Sequence, residues 1–146
     1  MSGILRWMDD RFPFTKVWKE HVAEYYTPKN FNFFYYFGAI LTVMLVIQFV
    51  TGIILTMHYK PDVASAFASI EYIMRDVPAG WFVRYLHSVG ASMIFIALYV
   101  HMFRGLMYGS HRSPRELIWL LGMLLYVAMM AEAFFGYLLP WGNMSY

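Results

Sequence analysis

The chain has 146 residues, of which 60% are hydrophobic, 21% aromatic and only 14% charged, against roughly 25% charged in an average soluble domain. That composition excludes an ordinary soluble domain and points to a bilayer. The net charge of +2 is small and dispersed and gives no basis for nucleic-acid binding, while the lack of cysteine excludes disulfides, thiolate metal sites and thioether-linked haem.

Residues 1–30 mix charges with bulky apolar side chains (Ile4, Leu5, Trp7, Phe12, Phe14, Val17, Trp18, Val22), the pattern of helices lying at a membrane surface. No apolar run with a small-residue cleavage site is present, so the segment does not read as a signal peptide. It is expected to remain on the chain as a cytoplasmic interfacial segment, with Pro28 just ahead of the first span. Residues 30–59 and 85–103 carry no Asp, Glu, Lys or Arg, and from Leu117 to Tyr146 only Glu132 is charged. Each stretch can hold the roughly 20 apolar residues that cross a bilayer.

The first span is placed at about 31–57 and ends in the polar sequence HYKPD. Val63–Arg75, with Phe67, Ile70 and Met74 at helical spacing, reads as a short amphipathic helix on the opposite membrane surface. A second span covers about 80–108. The loop GSHRSPRE leads to a third at about 114–139, with Pro114 at its start and Pro140 at its end. Eight Lys and Arg lie on the N-terminal tail and second connection, against three between the first two spans. The positive-inside rule then puts the N-terminus in the cytoplasm, with the spans running out, in and out. The fold class is an all-α membrane protein, a helix bundle of three spans plus interfacial amphipathic helices.

The second span contains His87 and His101, fourteen residues apart. Fourteen residues fall about 40° short of four helical turns, so both imidazoles leave one helix face about 21 Å apart along the axis. Ionisable side chains inside a span are costly and usually functional, although a single membrane histidine as readily hydrogen-bonds a neighbouring helix. His21, His58 and His111 lie outside the spans or at their ends and read as surface residues.

The flanking spans decide between these readings. Gly38 and Gly52 on the first, and Gly122 and Gly136 on the third, are also fourteen apart. Glycines that merely pack membrane helices favour four-residue spacing, which leaves the match to the histidine interval unexplained. A porphyrin is a flat plate that lies against a helix only where side chains are missing, so two glycines per helix imply two haems. With alternating span directions, Gly38 and Gly122 fall at the His101 level, near the inside, and Gly52 and Gly136 at the His87 level, near the outside. Arg84, three residues before His87, and Arg104, three after His101, suit the anionic haem propionates. Each alone would be an ordinary snorkelling arginine.

These residues resemble a known family. GAILTVMLVIQFVTGIILTMHY, RYLHSVGASMIFIALYVHMFRGLMYGS and AFFGYLLPWGNMS are similar to the first three transmembrane helices of cytochrome b from bacterial quinol:cytochrome c oxidoreductases, and the resemblance covers essentially the whole chain. It implies that His87 ligates a low-potential b-type haem near the outer face and His101 a high-potential one near the cytoplasm. It further implies that Gln48, Gly52, Arg84, Ala91, Gly136 and Tyr137 line the outer haem, and Tyr35, Gly38, Arg104, Ser110, Trp119 and Gly122 the inner one. Phe134, Tyr137 and Pro140 would adjoin an outer quinol-oxidising pocket. One electron from quinol would pass to a Rieske iron–sulfur protein and onward to cytochrome c1, the other through both haems to quinone at the inner face. The implied setting is a dimeric complex in the bacterial inner membrane, in contact with lipid.

The family's chain continues beyond the point matching Tyr146 and supplies a fourth helix with a second histidine pair. The 146 residues are therefore expected to form half of a dihaem four-helix bundle, with the remainder of cytochrome b giving each iron its opposite ligand. Glu132 has two readings: a carrier of protons from quinol, or a neutral, hydrogen-bonded carboxyl, the second being favoured. Two rivals stand beside the resemblance. One is a dihaem quinone-reactive anchor of a dehydrogenase or hydrogenase, which the paired glycines and PWGNMS disfavour. The other is a haem-free structural or transport subunit using His87 and His101 as proton relays.

Overall fold

The computed structural model describes residues 3–27 and 29–146, without the side chains of Leu5 and His21. Pro28 and those two side chains thus lie outside the described residues. Every regular element described is helical, and the chain divides into two compact units, one ending at Asn32 and the other beginning at Phe33.

The first unit contains α1 (Gly3–Asp9), α2 (Phe14–Trp18) and a single wide turn at Lys19–Ala23. The Asp9 carboxylate accepts hydrogen bonds from the Thr15 backbone N–H at 2.8 Å and the Thr15 hydroxyl at 2.5 Å. It thereby places a negative charge at the start of α2, where the helix dipole favours one. The hydroxyl bond above all, then the backbone bonds, hold the Asp9 carboxyl below its ordinary value. Ile4, Trp7, Phe12, Phe14, Trp18 and Val22 are all exposed.

The second unit opens with a tight turn at Phe33–Tyr35 and continues through α3 (Tyr36–Thr56), α4 (Ala66–Arg75), α5 (Gly80–Met107) and α6 (Glu116–Leu138) to a last turn at Asn143–Ser145. Three helices, Phe33–Thr56, Gly80–Met107 and Glu116–Leu138, are long and apolar enough to cross a membrane. The third starts at Glu116 rather than at Pro114. Its first turn-closing bond runs from the Trp119 N–H to the Arg115 carbonyl at 3.1 Å, so Arg115 is the residue flanking the helix and Pro114 stays in the preceding turn.

The amphipathic stretch forms α4, which packs inward by its small residues and two isoleucines. Ala66, Ser69, Ile70 and Ile73 are buried, whereas Phe67 is 61% exposed. Small residues at 66 and 69 let α4 approach α5, its packing partner, and the Ser69 hydroxyl satisfies itself on the Ala66 carbonyl at 2.7 Å. At the corner between the two helices Ala79 is left-handed, with φ 57°. A Cβ at Gly80 would collide with the Ile73 carbonyl, so the corner requires glycine there.

The main packing is between α3 and α5, whose seam holds buried Thr51, Gly90, Ile94 and Ala97. By contrast α6 buries none of its residues. It touches its neighbours at separate points: Trp119 against Gly105, Tyr126 against Tyr99 with ring centroids 6.1 Å apart, and the Tyr59 hydroxyl donating to the Leu139 carbonyl at 2.7 Å. A helix so apolar with no buried side chain faces lipid or a further partner rather than a core made by this chain.

Candidate haem site

The site is built on one face of α5 and the facing strip of α3. A Cβ added at Gly52 would sit 3.3 Å from His87 Cε1, and one added at Gly38 would sit 3.4 Å from His101 Cε1. The antiparallel pairing of Gly52 with His87 and of Gly38 with His101 is therefore present. The α3 glycines make room for the imidazoles themselves, closer in than the porphyrin edge expected from sequence.

Around His87 the hydrogen bonds are specific. Thr51, 4% exposed, lies with its hydroxyl oxygen 2.8 Å from His87 Nδ1, 2.6 Å from the Ile47 carbonyl and 3.3 Å from that of Gln48. The hydroxyl has one proton and the Ile47 carbonyl is the nearer acceptor, so towards His87 the oxygen accepts and Nδ1–H donates. Nε2 is left with its lone pair free, which is the state a metal ligand needs. Gln48 Nε2 donates to the His87 carbonyl at 3.2 Å, fixing the backbone beneath the ring.

Around His101 the arrangement is sparser. Its Nδ1 is shut off from solvent and has no hydrogen-bond partner among the described residues. One turn on, the Arg104 guanidinium lies 4.0 Å over the Tyr35 ring, and its Nε is likewise buried without a partner. Tyr35 and Tyr108 approach with ring centroids 6.0 Å apart. At the other end Arg84 Nη1 reaches the Met74 sulfur at 3.5 Å, a weak acceptor.

On α6, Gly122 and Gly136 have nothing within 4 Å of an added Cβ. The Trp119–Gly105 and Tyr126–Tyr99 contacts set the antiparallel register, which brings the His101 level within about two residues of Gly122 and the His87 level within about two of Gly136. The third helix thus presents its glycines to open space at the two histidine heights. Trp119 packs on Gly105 and against His111, with ring centroids 5.7 Å apart. His111, expected at the surface, is only partly exposed and its Nδ1 is sealed from solvent, because Trp119 covers it. Ser110 lies in the turn after α5, with its N–H on the Gly105 carbonyl at 2.9 Å. Ala91 is half-buried on α5, one turn from His87. Phe134 and Tyr137 are exposed on α6 and Pro140 is half-buried just beyond it. Glu132 is exposed without a polar partner among the described residues, so the hydrogen-bonded carboxyl favoured from sequence finds no acceptor or donor in them.

The sequence profile of the family Cytochrome b/b6/petB matches residues 22–146. The chain belongs to this family. A cytochrome b of Allochromatium vinosum is 61% identical over 142 residues, covering 97% of this chain and 34% of that protein. One of Rickettsia prowazekii is 53% identical over 145 residues, covering 99% of this chain and 36% of the relative. Among solved structures, a chain of a hyperthermophilic respiratory Complex III superposes with a TM-score of 0.84 at 40% identity, covering 97% of this chain and 36% of that one. The chain thus spans about a third of the length of the relatives it matches.

Membership in the cytochrome b family implies haem binding, and the residues present fit a haem at each level. Each histidine faces a glycine of α3, α6 leaves two gaps of matching height, and the Arg104 Nε donor finds among the described residues no acceptor of the kind a carboxylate would supply. Three residues in contact with this candidate site were not singled out from sequence. Thr51 holds the His87 ring. Gly90 admits the Gln48 amide, which a Cβ there would displace, and Gly105 admits the Trp119 ring, on which a Cβ would press. Spacing could have suggested Thr51, which immediately precedes Gly52. Gly90 and Gly105 depend on which side chains cross from other helices.

Proposed function

We propose that this chain supplies one axial histidine to each of two b-type haems in the transmembrane electron path of a quinol:cytochrome c oxidoreductase. The observation that carries the reading is the repeated contact of Gly52 with His87 and Gly38 with His101, at the fourteen-residue interval shared by α3, α5 and α6. The family match and the likeness to a respiratory Complex III chain support it. His87 and His101 would hold the irons through Nε2, Arg104 and Arg84 would take the propionates, and the four glycines would clear the planes. A bound haem supplies reversible one-electron transfer at iron.

The chain's own residues do the rest. The α3–α5 seam fixes the two histidines about 21 Å apart along the helix axis, so electrons move across the membrane rather than along it. The apolar surroundings exclude water. Phe134, Tyr137 and Pro140 would adjoin the outer quinol-oxidising pocket, which delivers one electron to a Rieske iron–sulfur protein and thence to cytochrome c1. The remainder of cytochrome b would provide the opposite histidines, within a dimeric complex of the bacterial inner membrane. The N-terminus would be cytoplasmic, on the count of basic residues, with residues 1–30 on the membrane surface through the exposed apolar side chains of α1 and α2.

Reduced-minus-oxidised spectra of membranes carrying His87→Leu or His101→Leu test the haem assignment. Each substitution is expected to remove one of two b-type components. Full retention of both in either variant would refute it.

A further inference from the structure

The two histidine levels repeat the same glycine contact but not the same hydrogen bonding. The residue before Gly52 is Thr51, whereas the residue before Gly38 is Phe37. His87 Nδ1 is bonded to the Thr51 hydroxyl at 2.8 Å, and His101 Nδ1 is buried without a partner among the described residues. We propose that Thr51 is a positioning residue that fixes His87 as its Nδ1–H tautomer and, through that hydrogen bond, makes the iron held at His87 harder to reduce than the iron held at His101. This assignment presupposes the haem reading above and adds a cause for the difference between the two levels.

Thr51 is the one buried residue of α3, and its single proton is directed to the Ile47 carbonyl at 2.6 Å. Its oxygen is therefore held as an acceptor towards the ring, in surroundings where water does not compete. An Nδ1–H that donates moves electron density onto Nε2 and strengthens it as a ligand. A stronger donor favours ferric over ferrous iron, and hydrogen bonding to an axial ligand is one of the levers by which a protein sets haem potential. Reduction of an iron held at His87 would break no bond at the imidazole, so the Nδ1–H of His87 would go on donating to the Thr51 oxygen in both states, more strongly in the ferric one. Phenylalanine at 37 offers His101 no such acceptor, which leaves that level more easily reduced.

The test uses the intact membrane complex with wild-type, Thr51→Val and Thr51→Ser chains, titrated redox-potentiometrically on the b-type absorption, with low-temperature EPR of the ferric haems. The component at His87 is identified by its loss in His87→Leu. Valine keeps the shape without the hydroxyl and is expected to shift the ferric/ferrous equilibrium of that component towards ferrous by up to tenfold, about 59 mV for a one-electron couple. Its EPR signal should move as well, the other component should stay put, and serine should restore both readouts. Unchanged potentials in Thr51→Val with both haems present would overturn the proposal, as would equal shifts in the serine and valine variants. Where valine blocks assembly, Thr51→Ala against Thr51→Ser decides in the same way. A wild-type complex without b-type bands would instead overturn the haem reading.

Discussion

The His87 and His101 levels use the same two helices and nearly the same glycine contact, 3.3 Å at one and 3.4 Å at the other, yet differ in almost everything polar. His87 is tied at its ring by Thr51 and at its carbonyl by Gln48. His101 Nδ1 and the Nε of Arg104, which is stacked on Tyr35 one turn on, have no hydrogen-bond partner among the described residues. The difference separates two tasks. On the proposed haem reading, a fourteen-residue repeat would place the two ligands, and the residues that do not repeat would tune them.

The placing function breaks most completely at the glycines. Gly52→Val and Gly38→Val would each put branched carbons where an imidazole now sits, and each is expected to abolish only its own haem component, giving complementary halves of the redox titration. Gly52→Ala and Gly38→Ala should lose less, because the ring must yield by only a few tenths of an ångström. Alanine gains about 0.8–1.0 kcal/mol of helix propensity over glycine, so a loss on Gly→Ala would report the cradle and not the helix. A valine variant that removed both haems would show that the two levels are not independent.

This repeat was also what the sequence disclosed best. Three long apolar stretches, two without any charge and one with only Glu132, and the interval shared by Gly38/Gly52, His87/His101 and Gly122/Gly136 are regular features of the sequence, and regularity survives in one dimension. The face by which α4 packs was not legible, because Ala66 and Ser69 are unremarkable as letters. Thr51, Gly90 and Gly105 owe their roles to single contacts across helices, which no spacing within one helix encodes. The start of α6 moved from Pro114 to Glu116 because the first hydrogen bond of the helix, and not the proline, sets it.

The tuning function should give a smaller effect at Arg104. Arg104→Gln removes a half-buried cation, its Nε sealed from solvent, one turn from His101, and a cation beside an iron centre favours the reduced, less positive state. The expected outcome is a fall in the potential of the His101 component. Hydrogen bonds to charged groups are worth about 1.5–3 kcal/mol, which bounds the change at roughly one to two powers of ten in the equilibrium. Arg84→Gln should shift the His87 component in the same direction. A shift of the His87 component by Arg104→Gln larger than that of the His101 component would break the assignment of each arginine to its own level.

The smallest expected effect concerns Gln48 and Gly90. Gln48→Leu removes a donor from the His87 carbonyl at 3.2 Å, a neutral bond worth about 0.5–1.5 kcal/mol, while Thr51 still holds the ring. The His87 component should persist with slightly lower thermal stability. Gly90→Ala adds a Cβ where the Gln48 amide now sits and must displace it, so the alanine variant loses the same bond by another route. Two substitutions acting on one contact do not add. The double variant Gln48→Leu with Gly90→Ala is therefore expected to retain as much His87-level haem on heating as the worse single variant, measured from the b-type absorption. Strictly additive losses would mean that Gly90 serves helix packing at the α3–α5 seam, independently of the amide that it admits.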